Sequence, residues 1–207
     1  MNRSLAQLLS VVFHPLLMPT YIFALILYYL PASMLSLPQQ SRWLVLGLIF
    51  FTTFLIPGIG AYAMVRAGQL DSMEMEKREQ RSSPLLFTGL CYGTTAYLLR
   101  SQAGFDAIFY FVMGIMAASV FLTYIISFFW KVSAHGIGLG GSLGLLLVLG
   151  HLAPDAFLIL PIAVTMLLSG AVLSARLALH VHTPAQVYTG FFSGFILSVT
   201  ASLVSLL

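Results

Sequence analysis

Apolar stretches alternate with short polar connections along the chain, at about 6–30, 43–65, 85–99, 105–129, 137–152, 156–175 and 185–207. In lipid every backbone N–H and C=O must find a partner within its own segment, so each stretch is expected to be a helix. About 20 apolar residues cross the hydrocarbon core, and a chain of 207 residues holds six or seven such spans and little else. The stretches at 85–99 and 137–152 are short for a span. Pro15, Pro19, Pro57 and Pro161 fall inside spans, where they are expected to kink helices. Gly136, Gly140 and Gly144 recur every four residues, a spacing that lets a second helix approach closely.

Composition agrees with an all-α, polytopic transmembrane bundle. The chain is 59% hydrophobic and 7% charged, where a soluble domain carries about 25% charged residues. Residues 1–207 are expected to form one integral membrane domain, with a chemistry-bearing core at about 66–190. The apolar run from Arg3 to about Leu30 exceeds the h-region of a cleaved signal peptide and is expected to stay as the first span. The net charge of +3 comes from few residues and forms no basic stripe, which argues against nucleic acid and for anionic lipid as the attraction. Cys91 is alone and can form no internal disulfide.

Alternation of spans puts the connections at 66–84, 130–136 and 176–184 on one side of the membrane. They contain Arg66, Asp71, Glu74, Glu76, Lys77, Arg78, Glu79, Arg81, Lys131, His135, Arg176, His180 and His182. The other side has only Arg42, Arg100, Asp106, His151 and Asp155. The excess of Lys and Arg favours the cytoplasm for the first side.

Three segments there carry chemistry. Thr183-Pro184 predicts a helix start, Thr as N-cap and Pro in the first turn, which sets His182 just ahead of a helix N-terminus suited to phosphate. Arg176 can reach the same place with a guanidinium fork. Lys131-Val132-Ser133-Ala134-His135 brings a cation, a hydroxyl and an imidazole to the mouth of the next helix. The run Lys77 to Pro84, if helical, sets Lys77 and Arg81 one turn apart, a like-charge pair relieved by an anion between them. Two imidazoles and up to four cations suit a phosphomonoester, which needs a nucleophile, an acid for the leaving oxygen and fixed positive charge on the other oxygens.

Arg176, His182, the pair Gln186-Val187 and Gly190 resemble, in type and spacing, the third signature of the type 2 phosphatidic acid phosphatase superfamily. Val132-Ser133-Ala134-His135 is similar to its second, Pro-Ser-Gly-His, and Lys77 to Pro84 is a looser likeness of its first. The resemblance implies that His182 attacks phosphorus as the nucleophile and His135 donates to the leaving alcohol. Lys77, Arg81, Lys131, Ser133 and Arg176 would bind phosphate, and no metal or other cofactor would be needed. The substrate would be a phosphorylated lipid or isoprenoid in a cell (inner) membrane, although the family often places its site on the face opposite the cytoplasm. Gln186 stands where the family has the Asp that orients the nucleophilic imidazole, and Val132 and Ala134 replace Pro and Gly.

Plainer readings accompany each residue. Thr183-x-x-Gln186 is a capping box. Arg176, His180 and His182 suit a membrane interface, and His14 suits the satisfaction of a proline kink. Asp71 to Arg81 also reads as a solvated helical turn pairing Glu74 with Arg78, a reading that weighs more for Arg78 than for Lys77 and Arg81. Two further functions stay open: a phosphatase-like protein that binds or moves phospholipid without turnover, and an intramembrane prenyltransferase with Asp71, Glu74 and Glu76 holding magnesium. Association with a second copy of the chain also stays open.

Overall fold

The computed structural model describes residues 1–75, 77–102 and 104–204. Among them there are nine α-helices and no strand: α1 (Arg3–Val12), α2 (Met18–Tyr29), α3 (Arg42–Phe50), α4 (Ile56–Arg66), α5 (Ser82–Ser101), α6 (Ala107–Phe129), α7 (Ala134–Leu152), α8 (Ile159–Ala178) and α9 (Pro184–Val204). A 3-10 turn joins α1 to α2, and a π turn, Phe51–Leu55, joins α3 to α4. Five helical segments, at 3–29, 39–66, 107–129, 134–152 and 159–178, are long and apolar enough to cross a membrane, consistent with an integral membrane protein. The fold class is therefore the expected all-α one, and α5 and α9 supply two more helices of 20 and 21 residues.

The two stretches that looked short are full-length helices, because polar residues extend their ends. Ser133 caps α7, its hydroxyl accepting from the Gly136 N–H, and α5 begins at Ser82. The prolines divide into two kinds. Pro15 and Pro57 accompany real breaks, the 3-10 turn Pro15–Leu17 and the π turn ahead of α4. Pro19 and Pro161 sit in the first turns of α2 and α8, where a helix lacks a partner for that N–H anyway, so the kink expected inside those helices is absent.

The chain packs as two compact units, Met1–Met18 with Val132–Leu207, and Pro19–Lys131. In the first, α7 and α9 lie backbone to backbone. A Cβ on Gly136 would meet the Val187 carbonyl oxygen at 2.8 Å, one on Gly140 the Phe191 oxygen at 1.9 Å, and one on Gly144 the Phe195 oxygen at 2.8 Å. The glycine row read from the sequence is thus a helix contact, and α9 answers it with Gly190 and Gly194, whose added Cβ atoms would fall 2.7 and 2.1 Å from the Ser133 and Ile137 oxygens. Met18, Leu139, Val172, Leu173 and Val187 form the apolar centre of this unit, with Leu9 and Phe13 of the α1 segment packed on it. In the second unit α5 packs on α6, Phe23 stacks on Phe109, and the buried Arg42 donates from Nη1 to the Leu27 carbonyl at 2.6 Å.

Candidate functional site

The N-termini of α7 and α9 are tied to each other. The Ser133 N–H donates to the Gln186 carbonyl oxygen at 3.2 Å, and no Cβ on Gly190 keeps the two strands of backbone apart. This contact brings His135 in the first turn of α7 and His182 just before α9 into one unit with Arg176 in the last turn of α8. His135 lies within electrostatic reach of Arg176, His14 and His182, and His14 within reach of Arg176. His135 and His182 are both buried.

Gln186 serves both of the roles read from the sequence. Its backbone N–H donates to Thr183 Oγ1 at 3.4 Å while its Oε1 accepts from the Thr183 N–H at 3.3 Å, which is the capping box. The same Oε1 lies 3.1 Å from His182 Nδ1. A backbone N–H can only donate, so the atom facing Thr183 is the amide oxygen and not the amide nitrogen; His182 Nδ1 must then carry a hydrogen. In neutral His182 the lone pair is therefore on Nε2. What Gln186 lacks is the negative charge that an Asp would place against the imidazolium.

Ser133 is fully buried and its hydroxyl accepts from the Gly136 N–H at 3.2 Å, so it caps α7 and retains one hydrogen to donate. Lys131 is half-buried in the connection between α6 and α7 and closes the second unit. His180 is exposed and takes the left-handed conformation, φ 55°, that ends α8, in keeping with its reading as an interface residue.

Lys77 and Arg81 belong to the second unit and are engaged there. Lys77 Nζ lies 2.7 Å from Asp71 Oδ2, and Arg81 Nε donates to the Met75 carbonyl at 3.1 Å. A hydrogen bond and the charge of Lys77 hold the Asp71 carboxyl below its usual range, and the same contact raises Lys77. The helical reading of 71–81 is overturned. Met75 turns to φ 47°, Lys77 is extended, and only Arg78–Arg81 forms a 3-10 turn, so Lys77 and Arg81 share no helical face. Arg78 pairs with Glu79 and not Glu74, and its Nη1 donates to the Phe129 carbonyl at the end of α6. Glu76 lies outside the described residues.

Sequence reasoning missed the link between the first helix and this site. His14 does satisfy its kink, Nδ1 accepting from the Leu16 N–H at 3.3 Å. Its ring also meets that of His135 edge to face, centroids 5.9 Å apart, and His135 Nε2 lies 3.0 Å from the Ser10 carbonyl oxygen. The one signal available was an ionisable side chain inside an apolar span. Among the described residues no group of three or more His, Cys, Asp or Glu side chains is arranged to hold a metal ion. No family profile, curated protein or solved structure matches this chain.

Proposed function

We propose that the protein is a membrane lipid phosphate phosphatase, a divergent relative of the type 2 phosphatidic acid phosphatases, acting on a phosphomonoester or pyrophosphate of a lipid or isoprenoid in a cell membrane. The observation that carries the reading is the Gln186 Oε1 contact, which fixes His182 as the Nδ1–H tautomer with its lone pair on Nε2, in one unit with His135 and Arg176. His182 Nε2 attacks phosphorus, the bond to the leaving oxygen breaks, and that oxygen takes a proton from His135. Water, losing a proton to His135, then attacks the phosphohistidine and releases inorganic phosphate. Arg176 and the N-terminus of α9 oppose the charge on the non-bridging oxygens.

A second reading is favoured by the capping box: Gln186 has a structural task whether or not turnover occurs, so a phosphatase-like protein that only binds phospholipid would keep it. One assay separates the two. Purified protein in detergent is given phosphatidate, phosphatidylglycerophosphate or a polyprenyl pyrophosphate without added metal, and phosphate release is followed with and without vanadate. The phosphatase reading expects vanadate-sensitive release that His182→Ala abolishes. Release by His182→Ala at the wild-type rate sinks it, and binding without release in wild type favours the second reading.

A further inference from the structure

The α1 helix ends in a way that frees one carbonyl. In a continuous α-helix the N–H of residue 15 would bond the Val11 oxygen and the N–H of His14 would bond the Ser10 oxygen. Pro15 has no N–H. The His14 N–H therefore turns to the Val11 oxygen at 3.2 Å, while the Phe13 N–H bonds the Leu9 oxygen at 3.0 Å. Neither takes the Ser10 oxygen, and it is this oxygen that His135 Nε2 meets at 3.0 Å, across 125 residues of sequence.

A carbonyl oxygen only accepts, so Nε2 of His135 carries a hydrogen, and Nδ1 is the nitrogen left to meet a ligand. His14 fixes the ring from the other side. Its Nδ1 is occupied by the Leu16 N–H, and its ring stands at 79° to that of His135.

We propose that the broken segment Ser10 to Pro15 is a positioning device for His135: the freed Ser10 carbonyl selects its tautomer, the His14 ring sets its plane, and Nδ1–H of the protonated imidazole becomes the donor to the leaving oxygen. Ser10, His14 and Pro15 are positioning residues in this account, acting only through His135. The role as acid rests on the phosphatase reading, whereas the selection of the tautomer does not.

The test uses the whole chain in detergent, with its histidine rings labelled with nitrogen-15. Wild type is expected to give His135 as the Nε2–H tautomer; the Nδ1–H tautomer there overturns the proposal without recourse to any variant. Pro15→Ala restores an N–H at position 15, returns the His14 N–H to the Ser10 oxygen, and is expected to remove that tautomer preference. In the same variant kcat should fall about 10–100-fold with KM nearly unchanged, a partial loss of the roughly 100–10,000-fold that a positioned general acid contributes. That loss should vanish when measured on a His135→Ala background, since both changes remove one function. An unaltered tautomer in Pro15→Ala, or losses that multiply in the double variant, overturns the device. If wild type releases no phosphate, the phosphatase reading fails while the tautomer measurement still decides the positioning.

Discussion

Substituting Gly140 by Ala tests whether the approach of α7 and α9 sets the site. The added Cβ would lie 1.9 Å from the Phe191 carbonyl oxygen, and ordinary contact begins at 3.4 Å, so 3.4 − 1.9 = 1.5 Å must be found between two backbones. Neither partner is a side chain that can turn away. Overpacking of a tight core costs about 1–3 kcal/mol, and a contact between backbones belongs at the upper end. Alanine returns about 1 kcal/mol of helix propensity, which leaves a net loss of about 2 kcal/mol. For a chain of this size that is a fall of about 4–8 °C in Tm.

The activity should suffer more than the stability does. His135 lies in the first turn of α7 and His182 immediately precedes α9, the two helices being forced apart, and a displacement of 1 Å in a positioned group costs about 100-fold in rate. Thermal unfolding in detergent and phosphate release are measured beside Gly170→Ala on α8, where the added Cβ has no neighbour within 4 Å and neither quantity should fall. Wild-type melting and turnover in Gly140→Ala would refute the claim that the glycine contact holds the site.

Gln186→Glu keeps the length of the side chain and its oxygen acceptors while adding a charge that favours the His182 imidazolium and the positive end of α9, so phosphate release should rise; Gln186→Ala should lower it and cost about 1 kcal/mol of stability through the lost cap. A fall in rate on Gln186→Glu counts against His182 as the nucleophile. His180→Gly relieves a left-handed non-glycine residue, worth about 1–2 kcal/mol, against glycine's entropy cost of about 0.5–1 kcal/mol, so stability should rise by about 1 kcal/mol with phosphate release unchanged, read by thermal melting and the same assay. Asp71→Asn releases Lys77 from its partner and should lower KM for a phosphorylated substrate if Lys77 binds it, with Tm unmoved because the pair is exposed. The Asp71 carboxyl is depressed, so any stability from the pair is present above its unfolded value and fades as pH falls through the folded one. Lys77 is raised, so the alkaline loss comes as pH rises through its folded value.

Much of the fold was legible because the membrane imposes it locally. An apolar stretch that must satisfy its own backbone becomes a helix, and among the described residues all seven stretches are helical, two of them interrupted by a 3-10 or a π turn. The Thr183-Pro184 start of α9 and the row Gly136, Gly140, Gly144 were likewise readable, since a cap and a four-residue spacing are properties of neighbours in sequence. The segment 71–81 was misread because its charges have helical spacing, while the bonds that shape it run from Arg78 to Phe129 and from Arg81 back to Met75. Gln186 presented two readings as alternatives, and only the positions of Thr183 and His182 around one oxygen made them compatible.

The sequence by itself thus determined which residues enter helices, where α9 begins and which face of α7 can be approached, because each depends on solvent and on side chains a turn apart. Tertiary structure alone decided that Ser10 and His14 stand against His135 and that Lys77 is held by Asp71. A hydrogen bond between residues 125 positions apart leaves no periodic trace in the chain; it exists because Pro15 strands an acceptor and packing brings a donor to it.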